Sequence, residues 1–188
     1  RNGLSDGIIW DYKNNETANW LLDFYDINPN LTPNLVDNFT NQGVTNSKSS
    51  EETGLDIGIP ITYRAGDQPN NALALNVFDN GEVAASGGTS GVIYSITNDI
   101  NSKEPSRINH FAHVNYNDNN KSIGKLLCIN GAGIQYRWLR NHSIGKSYEK
   151  MNEAASSIPV GSEGISIIPF GNGAERMLNN KNIGTHIC

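Results

Sequence analysis

Residues 63–91, YRAGDQPNNALALNVFDNGEVAASGGTSG, decide the fold, because they set a lone acid, Asp67, ahead of a glycine-rich turn, Gly87-Gly88-Thr89-Ser90-Gly91. Upstream, Ile57, Ile59, Ile61 and Tyr63 alternate with other residues toward Ala65, which predicts a strand ending at Gly66-Asp67, with Pro60 tolerated near its start. Pro69 then fits the first turn of a helix whose apolar face is Leu73, Ala74, Val77 and Phe78 and whose stop is Asn80-Gly81. Two short strands, Glu82–Ser86 and Val92–Thr97, follow as a hairpin across the glycine turn. Strand, helix and hairpin together mean α/β. The change of character near Asp79-Asn80-Gly81-Glu82 divides the chain into 1–80, mainly helical with one strand, and 81–188, which opens with β-structure.

Working outward, Ala18, Trp20, Leu21, Phe24 and Tyr25 recur at helical spacing, so Glu16–Tyr25 is expected as an amphipathic helix closed off by Pro29 and Pro33. A second helix is expected over Ser49–Leu55, with Ser49-x-x-Glu52 as a capping box and Gly54 at its C-terminus. Downstream, His110–Asn117 and Lys125–Ile129 are strand candidates. Ile134, Trp138, Leu139 and His142 have helical spacing, as does Tyr148–Ala155, and Ile165-Ser166-Ile167-Ile168 is expected as a buried strand before Pro169. No internal repeat is visible.

Composition narrows the function. The 188 residues are 37% hydrophobic and 18% charged, enough for a core but without an apolar run approaching the ~20 residues of a membrane span. A net charge of -5 with no Lys/Arg cluster argues against nucleic acid as the partner. Cys128 and Cys188 lack metal-ligand spacing and Arg1-Asn2-Gly3 is no signal peptide, so a cytoplasmic setting is expected. The N-x-S/T matches at Asn15, Asn30, Asn38, Asn120 and Asn141 follow from the high asparagine content. With no initiator Met, and an end at Thr185-His186-Ile187-Cys188, the sequence reads as a piece of something longer.

Two features invite chemistry. Asp67 is either a helix N-terminal acid satisfying free backbone N–H groups, or a general base that orients a substrate hydroxyl and takes its proton late in phosphoryl transfer. Pro69 at the first helical position would make Gln68 the cap and leave Asp67 pointing outward. The 87–91 turn is either a plain hairpin turn or a phosphate cradle, in which glycine amides and the hydroxyls of Thr89 and Ser90 face an anion. It is no Walker A loop, since no Lys follows and Val92 begins a strand, and a dinucleotide fingerprint fails likewise. Ser90 lacks the G-x-S-x-G frame of a nucleophile elbow. His110 and His113 fall on opposite faces of a strand, which reads as structural histidines and no metal. Glu175 and Arg176 are expected to form an ion pair.

Five segments, AGDQPNNALALNV, GGTSGVIY, HFAHVNYN, CINGAGIQYRWLRN and GSEGISIIPFGNGAER, resemble in that order the FGGY carbohydrate kinases. The resemblance covers nearly the whole chain and is weakest before Gly54. It implies a ribonuclease H-like, actin-like pair of α/β domains, of which 1–80 would be the end of the first, sugar-side domain and 81–188 the start of the second, nucleotide-side domain. It implies ATP and Mg2+ as cofactors and a small sugar as substrate, with D-xylulose first and ribulose, glycerol or gluconate as alternatives. Asp67 falls on the family's catalytic base and Gln68 on its sugar-contacting neighbour. Gly88, Thr89 and the adjoining Ser90 fall on the turn that holds the nucleotide phosphates, and Gly133 on the small residue beside the nucleotide. The family's opening phosphate-binding segment and its later adenine-side glycines have no counterpart in residues 1–188, and Arg137 stands where some relatives carry an amide. A fragment carrying half of each clamp is expected to be inactive alone, and its uncovered sheet edges to favour association with another copy. A non-catalytic nucleotide-binding or assembly module of the same fold is the alternative from another class.

Overall fold

The computed structural model describes residues 1–143 and 146–188. Its elements run α1 (Asn2–Asp6), β1 (Trp10–Asp11), β2 (Glu16–Thr17), α2 (Asn19–Phe24), α3 (Ser47–Thr53), α4 (Asp67–Ala74), β3 (Val83–Gly87), β4 (Gly91–Thr97), β5 (Asn109–Ala112), β6 (Ile123–Ile129), α5 (Ala132–His142), α6 (Tyr148–Ser156), β7 (Ile167–Ile168), β8 (Ala174–Glu175), β9 (Lys181–Asn182) and β10 (His186–Ile187). The main sheet has the order β3-β4-β6-β5, and three short pairs, β1-β2, β7-β10 and β8-β9, accompany it. Two compact units emerge, one of residues 1–84, 94–103 and 110–125, the other of 85–93, 104–109 and 126–188.

In the first unit, Trp10, Ala112, Tyr116 and Ile123 form a buried cluster with Leu4, Tyr12 and Ile100 against it. Polar bonds fix α1 there. Asn2 Nδ2 donates to the Ala112 carbonyl (2.6 Å), and the Ala112 amide donates to Ser5 Oγ (2.7 Å). His113 is fully buried. Its Nε2 lies 3.1 Å from the Val77 carbonyl, which can only accept, so Nε2 carries the proton and Nδ1 accepts from the Tyr94 hydroxyl at 3.1 Å. Desolvation lowers the imidazole from 6.5 to about 4, against a smaller opposing pull from the Val77 carbonyl. The structural reading of this histidine fits its two bonds.

The sequence expectations for this unit need five corrections, the first being that the strand expected over His110–Asn117 ends at Ala112, which leaves His113 outside it. The helix expected over Glu16–Tyr25 is shorter, since Glu16–Thr17 pairs as β2. Most of its expected apolar face is outward, with Trp20 67% and Phe24 76% exposed, while Ala18 and Leu22 point inward. The capping box of α3 uses Asn46, whose Oδ1 accepts from Ser49 N (2.9 Å), while Ser49 Oγ accepts from Asn46 N (2.8 Å); Gly54 closes the helix in the left-handed region as expected. The 57–65 run is no strand. Gly58 turns the chain at φ 91°, Pro60 offers no amide, and the segment bonds to 39–45 irregularly, with a single bridge between Val44 and Pro60. Helix α4 stops at Ala74 and not at Asn80-Gly81, because Asn76 is left-handed (φ 58°).

In the second unit, α5 and α6 join through stacked Tyr136 and Tyr148 (centroids 4.9 Å), with the Arg140 guanidinium 4.6 Å over the Tyr148 ring. The run ending at Ile168 is shorter than expected and lies open. Ile167 and Ile168 pair with Ile187 and His186 but stay 44% and 40% exposed. The ion pair expected between Glu175 and Arg176 is absent among the described residues. Glu175 accepts from Asn130 N, whereas Arg176 donates to the carbonyls of Ser106 and Pro105.

Candidate functional site

Asp67 opens α4, and Gly66 is its N-cap residue. The expected cap at Gln68 is therefore displaced by two residues, because Pro69 takes the third helical position, where its missing N–H costs nothing. The Asp67 carboxylate is exposed and accepts from the Gln68 amide at 2.7 Å, with Gln68 Nε2 at 3.4 Å. A first-turn acid also lies at the positive end of the helix. Buried Pro69 and Ala72 seat the helix. Just upstream, Gly66 N donates to Asn2 Oδ1 (2.9 Å), and the Asp6 carboxylate sits so close to Gly66 that a Cβ at 66 would lie 2.7 Å from Asp6 Cγ. The start of α4 is thus set by α1, and Asp67 with Gln68 presents an oxygen and an amide side by side to solvent.

The turn Gly88-Thr89-Ser90 belongs to the second unit and is built on different partners. Gly88 N closes it onto the Ser90 carbonyl (3.1 Å). Its outer carbonyls point at the N-terminus of α5, where Gly133 N donates to both Gly88 O and Thr89 O at 3.0 Å and Ile134 N donates to Thr89 O at 3.3 Å. The helix amides that could have met an anion are taken by the turn. In exchange the turn stands fixed on a helix end, and among the described residues no protein acceptor takes the Thr89 or Ser90 amide. Those amides and the two hydroxyls are the donors at the tip. Gly133 is required by contact, since a Cβ there would lie 2.3 Å from Gly88 O. Gly88, Thr89, Ser90 and Gly133, far apart in sequence, are therefore brought together.

Next to the same helix start, Gly131, Ile134, Gln135, Trp138, Phe170 and Asn172 line a cleft of about 390 Å3. Sequence reasoning did not single out Gln135 or Asn172. The signal was the spacing Gly131-x-x-x-Gln135, one helical turn, which sets the amide on the side of the helix start. Arg137 is exposed and does not line the cleft. No cluster of three or more His, Cys, Asp or Glu residues arranged for a metal occurs among the described residues, and no helix among them is long and apolar enough to cross a membrane.

No family model matches the chain. It is 23% identical over 164 residues to a xylulose kinase of Staphylococcus xylosus, covering 87% of this chain and 33% of that protein. It is 27% identical over 143 residues to a gluconokinase of Bacillus subtilis, covering 70% and 27%. Among solved structures, a xylulose kinase from Rhodospirillum rubrum matches all of this chain and 37% of its own, with a TM-score of 0.79 at 20% identity. A Plasmodium falciparum glycerol kinase solved with ADP matches 96% of this chain and 35% of its own, with a TM-score of 0.77 at 18% identity. The chain spans about a third of the length of the curated relatives it matches.

Proposed function

We propose that this relative of the FGGY carbohydrate kinases, which shares their actin-like fold over about a third of their length, is the central piece of an ATP-dependent sugar kinase. In this reading residues 1–80 end the sugar-side domain and residues 81–188 begin the nucleotide-side domain, and the whole protein works in the cytoplasm on a free sugar. The observation that carries the reading is the 88–90 turn, whose carbonyls are spent on the α5 N-terminus while its amides and hydroxyls face outward as anion donors.

Phosphoryl transfer asks the protein for positioning and for charge stabilisation more than for covalent chemistry. Thr89 and Ser90 hold phosphate oxygens of the nucleotide through amide and hydroxyl donors. Gly133 allows the turn to approach the helix closely enough for the Gly88 and Thr89 carbonyls to accept from its amide. The apolar and amide-lined cleft at Gln135 and Trp138 has the size of a small-molecule site and takes the nucleoside end. Asp67 accepts the proton of the attacking sugar hydroxyl, and Gln68 orients the neighbouring hydroxyls. Mg2+ supplies neutralisation of the phosphate charge when bound. It would reach the site with the nucleotide, whose phosphates Thr89 and Ser90 would hold.

D-xylulose, phosphorylated at its 5-hydroxyl, is the first substrate to test. Gluconate, glycerol and ribulose are the competing acceptors, because Asp67 and the turn serve any of them and the kinases matched include xylulose, gluconate and glycerol kinases. The test is a panel of these sugars on the full-length protein with ATP, read as sugar-dependent ADP release. One sugar standing at least tenfold above the others in kcat/KM fixes the acceptor. ADP binding with no release on any sugar would replace the kinase by a non-catalytic nucleotide-binding module.

A further inference from the structure

Glu175 is fully buried, yet only one of its carboxylate oxygens is bonded: Oε2 accepts from the Asn130 amide at 3.2 Å, and Oε1 has no hydrogen-bond partner among the described residues. An acid kept in such a place costs stability unless its bond does something a core methylene cannot. What it holds is the residue before α5's cap. Asn130 is gripped from the same segment by two further bonds, its Nδ2 donating to the Ala174 carbonyl (3.1 Å) and its carbonyl accepting from Asn172 Nδ2 (3.4 Å). Gly131 follows, so tightly packed that a Cβ would lie 1.5 Å from the Pro169 carbonyl oxygen. Two residues later Gly133 N donates to Gly88 O and Thr89 O.

We propose that Glu175 is a positioning residue for the phosphate cradle: through Asn130 it fixes where α5 begins, and through Gly133 that start fixes the height of the Thr89 tip. This rests on the sugar-kinase reading for the ligand, although the mechanical link Glu175–Asn130–Gly133–Thr89 lies wholly within the second unit. A side chain of this length suits the post, because its oxygen reaches and accepts from the Asn130 amide. Arg176 anchors the same segment separately, on Ser106 and Pro105.

The test compares Glu175→Ala, Glu175→Asp and Glu175→Gln in the full-length protein. Amide exchange at Gly133 and Ile134 needs no nucleotide. It should quicken at least tenfold in E175A and about threefold in E175D, where the shortened acid withdraws from Asn130, and return to wild type in E175Q, whose amide oxygen still accepts. Steady-state kinetics should show the KM for ATP raised about tenfold in E175A with the KM for sugar unchanged, and restored in E175Q. If E175A does not fold, E175D carries both comparisons. Unchanged exchange at Gly133 in E175A and E175D overturns the proposal, as does an equal rise in both KM values, which marks a general loss of structure. Should the wild type neither bind nor use ATP, the kinase reading falls, while the exchange data still decide whether Glu175 governs the cradle.

Discussion

The Asp67 segment and the 88–90 turn carry the two halves of the proposed chemistry and are built in opposite ways. Asp67 is held locally: its carboxylate bonds the next residue's amide at the first turn of its own helix. The turn is held from afar, by Gly133 and Ile134 more than forty residues downstream, which in turn rest on Asn130 and the 169–175 segment. A group that must present one oxygen needs little scaffolding. A cradle that must set several donors at one height needs a rigid base, and the helix end supplies it at the expense of its own free amides.

The largest effect that tests this contrast is on the isolated 188-residue chain, which carries the proposed base and the proposed cradle but about a third of the length of its relatives. It should give no measurable sugar-dependent ADP release, and robust release would break the account of a divided site. With Trp20, Phe24, Tyr25 and Leu31 each more than half exposed, the same isolated chain should self-associate with rising concentration in sedimentation experiments.

Gly133→Val in the full-length protein comes next. Its Cβ meets Gly88 O, so the turn must lift from α5, and ATP affinity should fall about ten- to hundredfold while sugar affinity holds. Calorimetric titration with each ligand separates the two. Acid is a third lever and acts on the other region. His113 bonds the Val77 carbonyl just past α4, and its pKa is lowered from 6.5 to about 4. The unfolded chain therefore binds the extra proton first, and stability is complete above pH 6.5 and falls by about 1.4 kcal/mol per unit until pH reaches about 4. Denaturant titrations across that window should show the slope in wild type and lose it in His113→Gln, beyond the constant cost of the substitution. The smallest effect is a control: Asn46→Ala, far from either half in its bonding, should cost about 1 kcal/mol of stability through the lost cap and leave both KM values unchanged.

Residues whose roles are local were legible in the sequence. The helix after Asp67, the two strands flanking the glycine turn, α5 and α6 all follow from period and punctuation, and the actin-like α/β fold followed from the order of five short motifs. What sequence could not give depends on partners distant along the chain. The 57–65 alternation looked like a strand, but Gly58 and Pro60 break the ladder that alternation alone cannot see. Trp20 and Phe24 had helical spacing, yet which side of a helix is buried is decided by its neighbours. Adjacent Glu175 and Arg176 looked like a pair because they are consecutive, but Glu175 ends β8 while Arg176 opens a 3-10 turn, and each found its own partner, the Asn130 amide for one and the Ser106 carbonyl for the other. Gly133 was named from resemblance, but its contact with Gly88 needed coordinates.

The most direct measurement is the turnover of Asp67→Asn in the full-length protein with ATP and its best sugar. The account expects kcat to fall about a thousandfold, with ADP affinity and thermal stability close to wild type, because the amide keeps the shape but cannot take the proton. Turnover within twofold of wild type would contradict it and leave Asp67 as the first-turn acid of a helix and nothing more.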